Sequence, residues 1–345
     1  KIGDGRGRTA ALRWNMIGIA IPTCVIGLLP SYDAWGLLSP LLLVICRLMQ
    51  GFFVGGEADG VRIYVMEHVG KNRRCFANGL SGLTAYFGIY IASYLSSVIL
   101  NPSFATVSWQ RLFIFGGILG VAIFLIRRFL HETPEFLKAH EEEQDLVPLL
   151  QVLKKNKKVF LAIVLLTGTS GGIYHFMIIF MNSYLSDILG ILSPERAAIL
   201  TSYTLLSYTV STFFGGFVAD YLPKIKMAFT GALLALLITV IIWCEIAIGR
   251  VTALSFSIMG FVLGFFSTPI YPMLLEHIPI KERYRTIGIG HPIGSMLFSG
   301  TTPFVATFLF QQTENIFAPL TYFAGLATLK CFSLLLLVQP KDSAT

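Results

Sequence analysis

The sequence has little charge and few cysteines. Charged residues make up 13% of the 345 residues and hydrophobic residues 54%, whereas soluble domains have about 25% charged and about 45–50% apolar residues. The five cysteines are odd in number and dispersed, without metal-ligand spacing, so we interpret them as small buried apolar residues. The sequence contains no Gly-x-x-x-x-Gly-Lys-Ser/Thr loop and no His-Glu-x-x-His motif. We therefore expect no enzyme activity, no cofactor and no metal site.

The sequence instead contains long hydrophobic runs. A helix needs about 20 mostly apolar residues to cross a bilayer. None of the runs of this kind alternates with period two. Ten such runs are present: 12–30, 37–66, 76–100, 109–130, 158–189, 199–220, 226–246, 252–278, 284–311 and 315–338. The first run is too long for a signal peptide, and further spans follow it. The sequence therefore predicts an all-α polytopic membrane protein with about ten spans.

The net charge of +7 does not indicate nucleic-acid binding, because its basic residues are concentrated in alternate loops. These loops lie at 1–13, 71–74, 127–158, 224–226 and 281–285, and Lys341 lies in the tail. Loops rich in Lys and Arg stay in the cytoplasm. We therefore expect a multi-pass protein of the bacterial cytoplasmic (inner) membrane with membrane lipids around it and both ends of this chain in the cytoplasm.

A polar segment divides the hydrophobic runs into two groups. Residues 131–158 form the predicted cytoplasmic linker between an N-terminal bundle, 1–130, and a C-terminal bundle, 159–345. Four spans precede the linker and six follow it. The opening Gly3-Asp4-Gly5-Arg6-Gly7-Arg8 has the chemistry of Gly216-Phe-Val-Ala-Asp220-Tyr-Leu-Pro-Lys224, which follows the second span of the second group. If the halves are repeats, two spans belong before Lys1, so the first bundle here contains spans 3–6 and the second spans 7–12.

Both Gly-Asp segments resemble the loop signature of the major facilitator superfamily, although the first copy departs from it by having Gly5 directly after Asp4. Three further motifs resemble its metabolite:proton symporter subfamily of proline/betaine, α-ketoglutarate, shikimate and citrate carriers: 47–57, 132–136 and 283–288. The resemblance implies two six-helix bundles, with the first two helices absent here, acting as a monomer. It also implies that the loop residues lock the halves together on the cytoplasmic side: Asp4, Arg6, Arg8, Asp220 and Lys224.

The helix that contains 47–57 is the richest in candidate residues. A charge near the bilayer centre costs at least about 2.5–3.5 kcal/mol, so charged residues there face a cavity or a partner. Glu57 is either the proton carrier, since a carboxyl in a partly dry cavity has a raised pKa, or the permanent partner of a basic residue. By the resemblance, Arg47 influences the proton-coupling group; the alternative is a structural bond to carbonyls at a helix crossing.

The predicted substrate residues come from several spans. Asp59 and Arg62 are three residues apart on one helix face; they form an intrahelical pair, or Arg62 binds an anionic substrate. His175 and His291 either contact the solute or form hydrogen bonds to a neighbouring helix. Lys330 is expected to snorkel to the membrane surface. The predicted substrate-binding set is Gln50, Arg62, Tyr174, His175, Tyr271 and His291.

These observations predict a secondary active transporter that imports a small polar, carboxylate-bearing solute, an organic acid or a citrate-type chelate, together with protons. Basic residues inside the spans favour an anionic solute. Alternatives are a symporter of a zwitterionic osmolyte such as proline or betaine, a proton-driven exporter on the same scaffold, and a sensor that binds ligand without transport.

Overall fold

The computed structural model of the protein describes residues 2–100, 108–141, 148–155 and 157–337. Within these ranges every regular element is helical. Ten long helices, α1 to α10 in chain order, occupy Arg8–Gly27, Leu38–His68, Arg74–Leu100, Trp109–Phe129, Lys157–Ile188, Pro194–Ala219, Lys224–Ala247, Ala253–Glu276, Ile280–Thr313 and Ala318–Leu335. Parts of the predicted linker (142–147 and 156) and the tail with Lys341 lie outside the described residues.

The long helices coincide with the ten predicted spans. Eight are long and apolar enough to cross a membrane, and α3 and α6 cover the other two runs, with 27 and 26 residues. The predicted all-α polytopic fold is confirmed. That two further helices precede Lys1, and that the chain divides at 131–158, stay predictions.

Local sequence signals explain where several helices begin. Ser193 accepts a hydrogen bond from the Arg196 backbone N–H (3.4 Å), and Pro194 occupies the first turn of α6. Thr252 accepts one from the Ser255 N–H (3.3 Å) at the start of α8. Both are standard N-caps, which satisfy backbone donors that the helix itself leaves unpaired.

The chain forms two compact units that do not follow chain order. The first contains Lys1–His68, Phe87–Leu146 and Ile280–Gly288; the second contains Val69–Tyr86, Val147–Pro279 and Ile289–Thr345. The start of α9 therefore packs with α1 and α2, and the start of α3 packs with α6 and α8. Each unit is held together by its own helix contacts.

In the second unit, α6 and α8 approach closely because small residues line their contact. A Cβ atom added to Gly260 would lie 2.2 Å from the Thr204 carbonyl oxygen, and one on Gly264 would lie 2.3 Å from that of Tyr208. Glycines four residues apart let two helix backbones approach closely, which is a common way to pack helices in a bilayer. The sequence G-x-x-x-G at 260–264 thus determines how closely the two helices pack.

We expect Gly264→Ala to destabilise the protein, because the methyl group would overlap the backbone of α6. Overpacking of this kind costs about 1–3 kcal/mol. The measurement is thermal unfolding in detergent, and the matched control is Gly325→Ala in α10, where an added Cβ has no neighbour within 4 Å. The control should be neutral or slightly stabilising, since Ala favours helix over Gly. Equal melting temperatures for the two variants would contradict the close packing.

Candidate functional site

Asp4 lies at the N-terminus of α9, within the first unit. Its side chain is fully buried and accepts hydrogen bonds from the backbone N–H groups of Tyr284 (3.1 Å) and Arg285 (3.0 Å). The Arg285 side chain adds a third bond of 3.0 Å from Nε. A carboxylate in this position satisfies unpaired backbone donors and complements the positive end of the helix dipole. Asp4 therefore joins the opening loop to a helix almost 280 positions later.

Arg8 is the centre of the same buried network. Its guanidinium, which is fully buried, contacts Asp4 (2.7 Å) and Glu67 (3.1 Å) and donates to the carbonyl oxygens of Gly3 (2.6 Å) and Ile280 (2.7 Å). These partners satisfy most donors of the guanidinium fork, and without them a buried arginine would be strongly destabilising.

Arg283 extends the network to a second carboxylate. Its Nη1 lies 3.2 Å from Glu67 and 2.5 Å from Glu135. Glu67 also accepts from the Thr133 hydroxyl at 2.8 Å. Arginines and carboxylates thus alternate along the network, so that each buried charge has an opposite neighbour.

A further carboxylate, that of Glu132, caps α1. Glu132 accepts from the backbone N–H groups of Arg8 (3.0 Å) and Thr9 (3.1 Å) and from the Thr9 hydroxyl (2.9 Å). Gly7, just before α1, has φ +102°, and an added Cβ would lie 2.2 Å from the Glu132 carboxylate. Only glycine fits here, which explains one glycine of the opening segment.

Asp220 performs in the second unit the role that Asp4 has in the first. It accepts from the backbone N–H groups of Cys75 (2.9 Å) and Phe76 (3.1 Å) at the start of α3. Lys224 forms an ion pair with Glu276. Both Gly-Asp segments therefore place a carboxylate on a distant helix N-terminus, whereas the Arg6 side chain is exposed.

Glu57 has a basic partner. Both of its oxygens accept from the Arg127 guanidinium, with Oε2 at 2.9 Å from Nη1, and Nη1 also donates to the Leu12 carbonyl (2.8 Å). Only 16% of the Glu57 side chain and 14% of the Arg127 side chain are exposed. The pair is a bidentate one, in which the Arg127 guanidinium donates to both oxygens of the Glu57 carboxylate inside the first unit.

Arg47 and Gln50 are brought together one turn apart on α2. Arg47 donates to the Gln50 amide oxygen at 3.3 Å, and its guanidinium lies 5.2 Å from the centre of the Phe113 ring. Gln50 in turn donates to the Thr23 hydroxyl at 2.7 Å. Arg47 is nonetheless exposed, so its remaining donors are accessible.

Arg62 pairs with Asp59 at 3.9 Å on the same helix. Asp59 is buried and Arg62 is 21% exposed. The predicted intrahelical pair is therefore present, with the two residues three apart on α2.

The substrate residues predicted in the second half of the chain lie in the second unit. His175 uses Nδ1 for the Gly171 carbonyl oxygen, 2.8 Å away on its own helix α5. The Tyr271 and His291 rings are 5.8 Å apart. Lys330 is only 5% exposed, so the expected snorkelling to the surface is wrong; its position on α10 places it among packed helices.

Tyr174 belongs to a cluster that the sequence did not single out as a unit. Its ring lies 5.2 Å from that of Tyr208 and 5.7 Å from that of Tyr86, and the Tyr86 and Tyr208 hydroxyls are 3.2 Å apart. We call Tyr86, Tyr174 and Tyr208 the tyrosine cluster. Its three residues come from α3, α5 and α6.

Sequence reasoning missed several partners that define these sites. Arg127 was assigned only to a basic loop, and the charges of 132–136 and 283–288 were noted as motifs without partners. The only feature of the sequence that could have indicated these ion pairs is the clustering of opposite charges in segments at the ends of hydrophobic runs. The residues concerned are Glu67, Arg127, Glu132, Glu135, Arg283 and Arg285.

A family model of the Major Facilitator Superfamily matches the chain over residues 2–192 and again over 168–345. The chain belongs to this superfamily. Its members are transporters and not enzymes. The chain is accordingly a multi-pass membrane transporter.

Relatives and solved structures agree with this membership. The chain is 30% identical over 340 residues to the "Putative proline/betaine transporter" of Staphylococcus haemolyticus, covering 94% of this chain and 71% of that protein. It is 27% identical to the citrate-proton symporter of Klebsiella pneumoniae, covering 92% and 72%. Among solved structures, the proton:xylose symporter XylE matches with a TM-score of 0.74 at 13% identity, covering 97% and 80%. The E. coli fucose:proton symporter FucP matches with a TM-score of 0.69 at 15% identity, covering 95% and 84%.

Proposed function

We propose that this superfamily member imports a small polar, carboxylate-bearing solute together with protons across the bacterial cytoplasmic membrane. Transport would proceed by alternating access, with bundles 1–130 and 159–345 rocking around a central site and both chain ends in the cytoplasm. The names of the citrate-proton symporter and of the two solved sugar:proton symporters support proton coupling as a shared mechanism.

The observation that carries the proposal is the Glu57–Arg127 pair. An ionisable pair within an apolar bundle is costly to maintain and marks proton or ion pathways. When Glu57 takes up a proton, it loses its charge and the ion pair weakens, whereas the hydrogen bond from Arg127 to the Leu12 carbonyl does not depend on that charge. Proton binding is thereby linked to the contacts between α2 and the end of α4.

The two Gly-Asp segments are the proposed cytoplasmic gate. Asp4 and Asp220 bind helix N-termini through two backbone N–H groups each. Bonds of this kind can break and re-form without changing the fold of either helix. Arg8 and Lys224 add ion pairs, and Arg6 provides positive charge beside them.

Arg62, His175 and His291 are the proposed contacts for the solute carboxylate, with Gln50, Tyr174 and Tyr271 as polar and aromatic neighbours. Arg62 lies 3.9 Å from Asp59 and is 21% exposed, so a guanidinium that is partly accessible supports its assignment to the solute. Arg47 provides a further exposed guanidinium near Gln50. Arg47 also lies on the same helix, α2, as Glu57, and we propose that it influences proton coupling by Glu57.

Citrate-like anions should compete for uptake in proteoliposomes with an imposed pH gradient. We expect Arg62→Ala to weaken this competition by about tenfold or more, since a charge-assisted contact contributes about 1.5–3 kcal/mol. His175→Ala should raise the half-saturating concentration as well. The matched control is Arg250→Ala, which removes an exposed arginine at the end of α7 and should leave competition unchanged.

A zwitterionic osmolyte is the second candidate, and the tyrosine cluster favours it. Aromatic faces attract quaternary ammonium groups, and the staphylococcal relative carries the name of a proline/betaine transporter. If choline-type cations and betaine compete while carboxylates without a cation do not, the zwitterion assignment replaces the anion assignment. Flux out of vesicles against the pH gradient would indicate an exporter, and ligand binding without flux would indicate a sensor.

A further inference from the structure

Four lysines lie close together where the linker meets α5. Lys154 and Lys155 end the short helix Leu149–Lys155, and Lys157 and Lys158 begin α5. All four are exposed, and none forms an ion pair with a carboxylate among the residues that the structure describes. By contrast, Lys224 at the start of α7 is paired with Glu276. We call these four residues the lysine cluster; their charges have no ion-pair partner among the carboxylates in the described part of the chain.

From its place at the start of the candidate span α5, we infer that the cluster lies at the membrane boundary. Lys157 and Leu161 are four residues apart, and Lys158 and Leu161 three, so all three share one helix face. Leu161 is 48% exposed on this membrane-spanning helix, which is the position of a side chain in contact with lipid tails. The lysines one turn before it lie at the level of lipid headgroups, where long side chains can direct their ammonium groups into the polar layer.

The short helix that contains Lys154 and Lys155 is fixed in place. Its Val152 is fully buried, and the helix belongs to the second unit. Because Val152 holds one face inward, the adjoining lysines are presented together with those of α5. Lys154 and Lys155 therefore lie on a helix that packs in the same unit as α5.

From this charge and placement, we propose that the lysine cluster binds anionic phospholipid headgroups of the adjacent leaflet. Clusters of four or more basic residues immediately beside a membrane span attract anionic lipid, with a contribution of about fivefold in affinity for each lysine. Ammonium groups are suited to lipid phosphates as mobile point charges and need no fixed geometry. The partner is the anionic lipid of the bilayer that holds the protein.

The test is the thermal unfolding of the full chain in neutral detergent, titrated with phosphatidylglycerol or with zwitterionic phosphatidylcholine. We expect phosphatidylglycerol to raise the melting temperature at a lower mole fraction than phosphatidylcholine does, and 0.5 M salt to reduce the difference. Two double variants remove two lysines each: Lys154→Gln/Lys155→Gln and Lys157→Gln/Lys158→Gln. Each variant should need about 25-fold more phosphatidylglycerol to reach half of the rise in melting temperature, because each lysine contributes about fivefold in affinity. The same pairs changed to Arg should retain the wild-type response.

Lys138→Gln is the matched control, because Lys138 is exposed on the helix Pro134–Glu141 and away from any span start. It should leave the phosphatidylglycerol response unchanged. The proposal is overturned if both lipids act equally, if the Gln pairs keep the preference for phosphatidylglycerol, or if inorganic phosphate alone reproduces the stabilisation. These results are independent of which solute is transported, since no transport is measured.

Discussion

A Glu57→Gln transporter is expected to equilibrate its solute across the membrane but not to concentrate it. Gln keeps the shape of the side chain and can still accept from Arg127, yet it cannot exchange a proton. With one proton per solute, a gradient of one pH unit drives about tenfold accumulation. We therefore expect the accumulation ratio to fall from about ten to about one in proteoliposomes, whereas exchange of labelled for unlabelled solute continues.

The control for this prediction is Glu314→Gln, which removes an exposed carboxyl at the end of α9 and should leave accumulation intact. Arg127→Met should impair both accumulation and exchange, because it leaves the Glu57 carboxylate without its bidentate partner in a half-buried position. If Glu57→Gln still concentrates solute under a pH gradient, the coupling proton is carried elsewhere.

Arg8→Met is expected to be the most destabilising single substitution in the charged network. It removes one positive charge from between Asp4 and Glu67, both of which are fully buried, and it leaves two carbonyl oxygens without a donor. Breaking a buried ion pair by removing one partner costs about 3–5 kcal/mol. We expect a correspondingly large fall in melting temperature in detergent.

Arg6→Met is the matched control for Arg8→Met. It removes the same kind of charge from the same loop, but its side chain is exposed, so the expected change is within about 0.5 kcal/mol. The double variant Arg8→Met/Glu67→Met should recover part of the lost stability, because it removes an unpaired buried charge together with its partner. Similar melting temperatures for Arg6→Met and Arg8→Met would mean that the network contributes little.

The fold was largely predictable because the bilayer imposes it. Segments such as 226–246 and 252–278 must be helical, since lipid offers no partner for the backbone, and α7 and α8 lie where these runs do. The same reasoning predicts that polar segments such as 131–158 lie outside the lipid tails. Lys330 shows where this reasoning fails, because hydropathy records that a residue is costly in lipid but not whether other helices cover it.

The sequence pointed to candidate residues but not to the partners that they have in the structure. The Gly-Asp pattern identified Asp4 and Asp220 and the apolar surroundings identified Glu57. Their contacts lie far along the chain: Asp4 meets Arg285, and Glu57 meets Arg127, 70 residues away. Such pairings depend on helix packing, about which the spacing of residues within one helix carries no information.

The amino-acid sequence by itself determined the helical membrane class, the positions of the spans and the two related Gly-Asp segments, because each depends on local hydropathy, charge and turn chemistry. Only the tertiary structure decided which carboxylate neutralises which arginine and which helix N-terminus each aspartate caps. The reason is physical: a buried charge is tolerated only beside its partner, and the partner is brought there by the packing of helices that are distant in the chain.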